Sequence, residues 1–352
     1  MPLTGREAKL AFAKFATNSW GVAASVTKGA YFQSSGGLRL QPALVNDEAF
    51  GQSFLGAGDL GDVTAPDITL TGRARYDDHT YILDALAMGS PTAVTLSNSA
   101  TGQTPSFQHI FNLAPSTDGL GCTVAVDKVT WVDELTSAKV VGFSETVGDN
   151  GVMDISYKLL GSKPTNISSV NINSTVAGAS YPALSNRVFR SQGTFRLNVQ
   201  SGGALAASDA VTISEFELEF ERPQDAPHVF GQDYIAAPAD NGFPTVQFKV
   251  TKPRFTTSDG SIYAALRTQG VKFKADLTYL GSYINSTDRY TKKYEFPHVE
   301  VLEWNGADVS GAEQVKPDIT FVAKLATSSP TGMAFVNPFR LTRIMTTSIV
   351  AF

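Results

Sequence analysis

Disulfide chemistry is the first thing this chain lacks. Its 352 residues hold one cysteine, Cys122, so no intrachain disulfide framework can staple the fold, and a reducing cytoplasm is the expected place of folding. Histidine is scarce as well. His79, His109, His228 and His298 show no paired metal-ligand spacing, and no G-x-S-x-G, H-E-x-x-H, C-x-x-C or P-loop motif accompanies them. No enzyme, metal site or cofactor is therefore expected. Long apolar runs are missing too: no stretch approaches the roughly 20 residues that cross a bilayer, and Met1–Arg6 leads into no signal-peptide block. Neither a membrane span nor an export signal is expected, which leaves the sequons at Asn166, Asn173 and Asn285 without consequence. Positive charge is in deficit. With 28 Lys and Arg against 33 Asp and Glu, the net charge of −5 provides no basic face of the kind that grips nucleic acid.

What the chain has instead is itself, twice. Ala49-Phe50-Gly51-Gln52-Ser53-Phe54-Leu55-Gly56-Ala57 returns 180 positions later as Val229-Phe230-Gly231-Gln232-Asp233-Tyr234-Ile235-Ala236-Ala237. The same ungapped offset aligns Leu38 and Leu40 with Leu218 and Phe220, Ile68 and Leu70 with Phe248 and Val250, and Ile82, Ala85 and Leu86 with Ile262, Ala265 and Leu266. Two copies are too few for a solenoid. The length also suits two ordinary cores. The expectation is a first domain over 1–165, a linker over the polar stretch 166–185, and a second domain over 186–352.

Strand signals dominate. Short alternating runs rich in Val, Ile, Phe, Tyr and Thr are separated by Gly, Pro, Asn, Asp and Ser clusters, the pattern of an antiparallel sandwich or barrel. Strands are expected at Gly37–Gln41, Asp67–Arg75, Thr123–Trp131, Lys139–Val147, Met153–Leu160, Thr194–Val199, Val211–Glu221, Val246–Thr251, Val271–Leu280 and Lys293–Trp304. Gly148-Asp149-Asn150-Gly151 reads as a hairpin turn. Helix is confined to two matched segments, Asp78–Met88 and Asp259–Gln269, each with a glycine near its end. The fold class expected is mainly β: two tandem antiparallel β-sandwich domains, each with one short helix and a long loop.

Those long loops, Ala43–Pro66 and Pro223–Pro244, carry the strongest repeat and several large apolar residues. Burying one such side chain is worth about 1.5–3 kcal/mol, so something should cover them. Either each loop folds back on its own domain, or it packs on a neighbouring subunit. The second reading is favoured because the most repeated residues lie in the loops. In Glu215-Phe216-Glu217-Leu218-Glu219-Phe220-Glu221 a period of two puts the apolar residues inward and four carboxylates on the other face. Cross-strand lysines, Lys249, Lys272 and Lys274, could relieve the repulsion. Alternatively the ladder is a wall that repels a passing polyanion. Two further patterns mislead. Gly56-Ala57-Gly58-Asp59-Leu60-Gly61 matches GxGxxG, but another strand follows where a helix is needed. Asp77-Asp78-His79 could ligate a metal, yet the acids fit as the cap and first turn of the short helix.

Several segments in order resemble the major tail tube proteins of long-tailed bacteriophages. They are Leu10-Ala11-Phe12-Ala13-Lys14-Phe15-Ala16-Thr17-Asn18-Ser19-Trp20-Gly21, the Gly36-Gly37-Leu38-Arg39-Leu40 strand feeding a long loop, and Asp67-Ile68-Thr69-Leu70-Thr71-Gly72 before a short helix. The hairpin from Lys139-Val140-Val141-Gly142-Phe143-Ser144 to Leu159-Leu160-Gly161 completes the set. The resemblance implies β-sandwich tube domains in rings of six, stacked into a hollow tube through which double-stranded DNA leaves the capsid. Two domains per chain would make homotrimeric rings with pseudo-six-fold symmetry. It further implies a virion location after assembly in the bacterial cytoplasm, contact with tape measure and tail terminator proteins, and no membrane partner. On that analogy Phe50, Phe54, Leu55, Phe230, Tyr234 and Ile235 are inter-ring contacts, and Glu215, Glu217, Glu219 and Glu221 are candidates to face the lumen. The first copy, with Arg39 and Gln41 in the matching strand, departs from an acidic lumen. The rival reading is a tandem β-sandwich module that binds carbohydrate or a host-cell surface.

Overall fold

The computed structural model describes residues 7–36, 42–45, 59–63, 67–89, 92–97, 103–148, 150–162, 164–166, 168–232, 234–252, 265–266, 268, 270–305 and 317–348. The first half opens with β1 (Lys9–Lys14), β2 (Lys28–Ala30) and β3 (Phe32–Gly36). A small hairpin of β4 (Pro42–Val45) and β5 (Asp59–Val63) leads to β6 (Asp67–Arg73), helix α1 (Tyr81–Met88), β7 (Thr92–Ser97) and β8 (Ser106–Asn112). Then come β9 (Cys122–Asp127), the long β10 (Val132–Val147), β11 (Met153–Gly161), the short β12 (Pro164–Thr165) and α2 (Asn173–Gly178). The second half contains β13 (Gly193–Val199), β14 (Glu215–Glu221), the small hairpin β15 (Gln224–Asp225) and β16 (Ala239–Asp240), and β17 (Thr245–Thr251). It ends with β18 (Phe273–Tyr283), β19 (Arg289–Asn305), β20 (Asp318–Ala323) and β21 (Arg340–Met345). The fold is mainly β. Apart from the two small hairpins, the strands join one large antiparallel sheet.

The alternation read from the sequence drives these strands. β6, β11, β14 and β17 each bury every second residue, so one face meets the core and the other meets solvent. The β10–β11 hairpin closes where expected: Val147 pairs with Met153, Gly151 takes φ +71°, and Asn150 Oδ1 accepts the Val152 N–H at 3.0 Å. Helix α1 is buried along its whole length and ends at Gly89 with φ +112°, a left-handed value that suits glycine.

One order of pairing occurs twice. In the first half β1 pairs β9, β9 pairs β10, β10 pairs β11, β11 pairs β6 and β6 pairs β3. In the second half β13, β18, β19, β20, β17 and β14 follow one another in the same way. The small hairpins agree in register at the offset of 180: Leu44 faces Leu60 and Val45 faces Asp59, as Gln224 faces Asp240 and Asp225 faces Ala239. The halves are joined edge to edge by β10 and β14, from Gly142–Glu221 to Val147–Phe216. β21 lies between β19 and β8 and so pairs with both halves.

One apolar cluster spans both halves, with Phe143 against Phe220 at 5.2 Å between ring centroids and Phe248 against Phe296 at 4.5 Å. Two buried ionic knots tie it together. Arg343 of β21 holds Asp78 at 2.7 Å and Asp84 of α1 at 2.8 Å, and Tyr157 donates to the same Asp84. Lys292 of β19 meets Glu145 of β10 at 2.7 Å, with the Tyr294 hydroxyl on the other carboxylate oxygen. Arg343 thus sits above its ordinary basicity: burial opposes its charge, and Asp78 and Asp84 more than restore it.

Several expectations need correction. The polar stretch 166–185 packs on the first half: Asn171 is buried, donating to Ala24 O and Glu134 and accepting from the Val26 N–H, and Val176 joins a small apolar cluster with Ala11, Val26, Ala125 and Val132. Asp78 accepts the Thr80 N–H and binds Arg343, while Asp77 accepts from the Thr346 and Thr347 hydroxyls. These acids fasten the C-terminal strand more than they cap α1. Lys274 does not face outward, because the start of β18 is covered on both faces and its ammonium donates to Gly202 O and Thr331 O. Strand Gly37–Gln41 and most of the second expected helix lie outside the described residues, Ala265 and Leu266 of the latter being helical.

Candidate functional site

The pairing registers assemble a single outward face across six strands. Starting from β6, one row runs Thr69, Lys158, Gly142, Glu221 and Thr245. The next runs Thr71, Ser156, Ser144, Glu219, Gln247 and Val322. A third runs Arg73, Asp154, Thr146, Glu217, Lys249 and Thr320. Short hydroxyl side chains cover the part from the first half, and the glutamate ladder covers β14.

Each of the basic residues in these rows is already engaged. Arg73 pairs with Asp154, Lys249 with Asp318 at 2.9 Å, and Lys158 with Glu221 at 2.5 Å and Glu219 at 3.4 Å. Lys158 reaches across because the residue between it and Glu221 is Gly142, where a side chain would collide with Phe220 O at 2.6 Å. The hydrogen bond to Glu221 holds the Lys158 ammonium above its ordinary value against a small opposing effect of burial. Glu215 and Glu217, both exposed, have no ion-pair partner within 4 Å among the described residues. The face therefore carries surplus negative charge and no unengaged cation in these rows. It would offer phosphate groups nothing to exchange for their counterions.

The second element of the site is the arm between β14 and β17. Its base is fixed by a buried cluster: Asp240 meets Arg222 at 3.1 Å and Lys139 at 3.4 Å, and accepts from the Thr117 N–H and Gln224. Lys139 also meets Asp118 at 3.1 Å and donates to Pro238 O at 3.0 Å. Burial alone would raise the Asp240 carboxyl. The bonds from Gln224 and Thr117, with the charges of Lys139 and Arg222, outweigh it and hold the group down to about 2. The arm then turns at Gly231, φ +84°, with the Gln232 N–H donating to Val229 O, and leaves Phe230 fully exposed at its tip. Phe243 is exposed near its return.

Of the residues read from the sequence, Glu215, Glu217, Glu219 and Glu221 all lie exposed on the outward face. Phe230 projects into solvent, Tyr234 is half-buried beside Gly21, and Ile235 is buried with its carbonyl accepting the Trp20 indole N–H at 3.1 Å. Ile235 is thus spent within its own chain. Phe50, Phe54 and Leu55 lie outside the described residues, as do Gly56 and Gly58 of the GxGxxG pattern. Asp59–Val63, which closes that pattern, is strand β5 paired with β4, not a turn into a helix. The sequence reading missed Lys158, Lys139, Arg222 and Asp240. Gly142 in an otherwise regular strand was the available signal, since it marks a place where something crosses. No protein-family model matches the chain, and neither does any of the curated proteins compared with it.

Proposed function

We propose that this chain is a structural subunit of a hollow tube, of the kind built by the major tail tube proteins of long-tailed bacteriophages, with two tube domains in tandem. The observation that carries the reading is the repeated six-strand order joined edge to edge by β10 and β14. A unit that adds sheet to sheet within one chain is suited to do the same between chains, and heterologous contacts of this kind close into rings. Three chains would present six such units around a bore. Into that bore would face the hydroxyls of Thr69, Thr71, Ser144 and Ser156 and the carboxylates of Glu215, Glu217, Glu219 and Glu221. Double-stranded DNA would then pass without sticking, because the neighbouring cations are already taken by carboxylates.

Successive rings would be held by the arms, with Phe230 of the second half and Phe50, Phe54 and Leu55 of the first as their apolar contacts. The function is mechanical and needs no catalysis. Assembly in the bacterial cytoplasm, residence in the virion tail, and end contacts with tape measure and terminator proteins belong to the same proposal. Negative-stain microscopy of the purified protein tests it: rings or hollow rods are expected, and uniform single particles at high concentration would contradict it.

A further inference from the structure

One tripeptide occurs twice in this chain and meets two different surroundings. Asp149-Asn150-Gly151 closes the β10–β11 hairpin, and Asp240-Asn241-Gly242 lies on the return of the arm, between β16 and β17. In the hairpin the groups are occupied: the Gly151 N–H donates to Gly148 O at 3.0 Å, and Asn150 Oδ1 accepts the Val152 N–H at 3.0 Å. In the arm they are not. Asn241 and Gly242 are exposed, and among the described residues no hydrogen bond engages the Asn241 side chain or the Gly242 N–H. The chain before them is firmly held, because the Asn241 N–H donates to Pro223 O at 3.0 Å and Asp240 is tied to Arg222 and Lys139. Beyond it, Gly242 takes φ +127°, a value that suits glycine, and the exposed Phe243 follows. A third Asn-Gly pair, Asn305-Gly306, reaches outside the described residues.

We propose that Asn241 is a self-modifying site, converted to aspartate and isoaspartate without an enzyme. The Gly242 amide nitrogen attacks Asn241 Cγ as it gives up its proton; the new C–N bond closes a five-membered succinimide, the bond from Cγ to the side-chain nitrogen breaks, and ammonia leaves with that proton. Water then adds to one of the two ring carbonyls and reopens the ring. The net change is amide and water to carboxylate and ammonium, so no oxidant, reductant or cofactor enters. Glycine permits the attack because no Cβ crowds its nitrogen, whereas at Asn150 the hairpin's hydrogen bonds withhold the same atoms. The product adds one negative charge to the arm, between the anchored Asp240 and the exposed Phe243. In isoaspartate the main chain also runs through the former side chain and lengthens by one methylene. This chemistry belongs to the arm whether or not the chain builds tubes.

The test is peptide mapping by mass spectrometry of the full chain kept at mildly alkaline pH, with isoaspartate read by enzymatic methylation. Conversion at Asn241 should be on the order of tenfold faster than at Asn150, the factor that a protecting hydrogen bond supplies, and should quicken as pH rises. In guanidinium the two sites should react alike, since their tripeptides are identical. Asn241→Gln should remove the modification and leave thermal unfolding unchanged, because the longer side chain closes its ring far more slowly and the residue is exposed. Equal rates in the folded chain, a faster Asn150, or aspartate formed without isoaspartate would overturn the assignment.

Discussion

The two halves share a plan on the inside and part company on the outside. Inward-facing residues are alike in both: Leu70, Tyr157 and Phe143 in one, Phe248, Phe321 and Phe220 in the other, all buried in one cluster. Outward, the first half shows Thr69, Thr71, Ser144 and Ser156, with Arg73 answered by Asp154, whereas the second shows four glutamates on one strand. The difference teaches that the pairing order depends on the buried pattern and tolerates a change of charge on the exposed face. The ladder is not left to its own half, since Lys158 of the first half meets Glu219 and Glu221 of the second. Charge on this surface is balanced across the junction.

The largest test asks whether the halves are one cooperative unit. Arg343→Met would leave Asp78 and Asp84 buried without their cation, and breaking such a pair costs about 3–5 kcal/mol. Guanidinium unfolding should show that loss in a single transition; two separated transitions would mean that the halves melt apart. The next compares β10 and β19 at one matching position. Gly142→Val places a side chain against Phe220 O and should cost about 1–3 kcal/mol, whereas Glu303→Val, at the exposed matching position of β19, should stay within about 0.5 kcal/mol. Similar costs at both positions would break the equivalence of the two strands.

Acid probes the arm. Because the folded Asp240 carboxyl lies near 2, below the ordinary value of about 3.9, its contribution is complete above that ordinary value and is lost as pH falls through about 2. Hydrogen exchange at residues 234–240 should therefore rise between about pH 4 and pH 2, and Asp240→Asn should abolish that step. The smallest effect belongs to the exposed pair: Lys158→Met should cost about 0.2–1 kcal/mol at low salt and nothing measurable at high salt.

Much of the framework was legible where one face of a strand meets solvent. Met153–Leu160, Val246–Thr251 and the Glu215–Glu221 ladder alternate in the sequence because they alternate in burial. The Asn150-Gly151 turn was legible because its backbone needs glycine. Legibility failed where both faces are covered. β10 begins at Val132 and carries the buried Glu134, which binds Asn171, so no polar face marks its first half. β18 hides Lys274 and Asp276 for the same reason. The 166–185 stretch is held by the hydrogen bonds of Asn171 and the burial of Val176, neither of which leaves a period. Arg343 reads in sequence as an ordinary strand residue, and only the fold shows that it binds two acids more than 250 positions away.

The central claim is that one chain supplies two equivalent units that continue the same sheet from copy to copy. Averaged electron micrographs of the purified assembly, combined with its native mass, test this most directly. The account predicts rings with six similar lobes and a mass of three chains. A ring of six chains, or a particle whose two halves make unlike contacts with their neighbours, would contradict it.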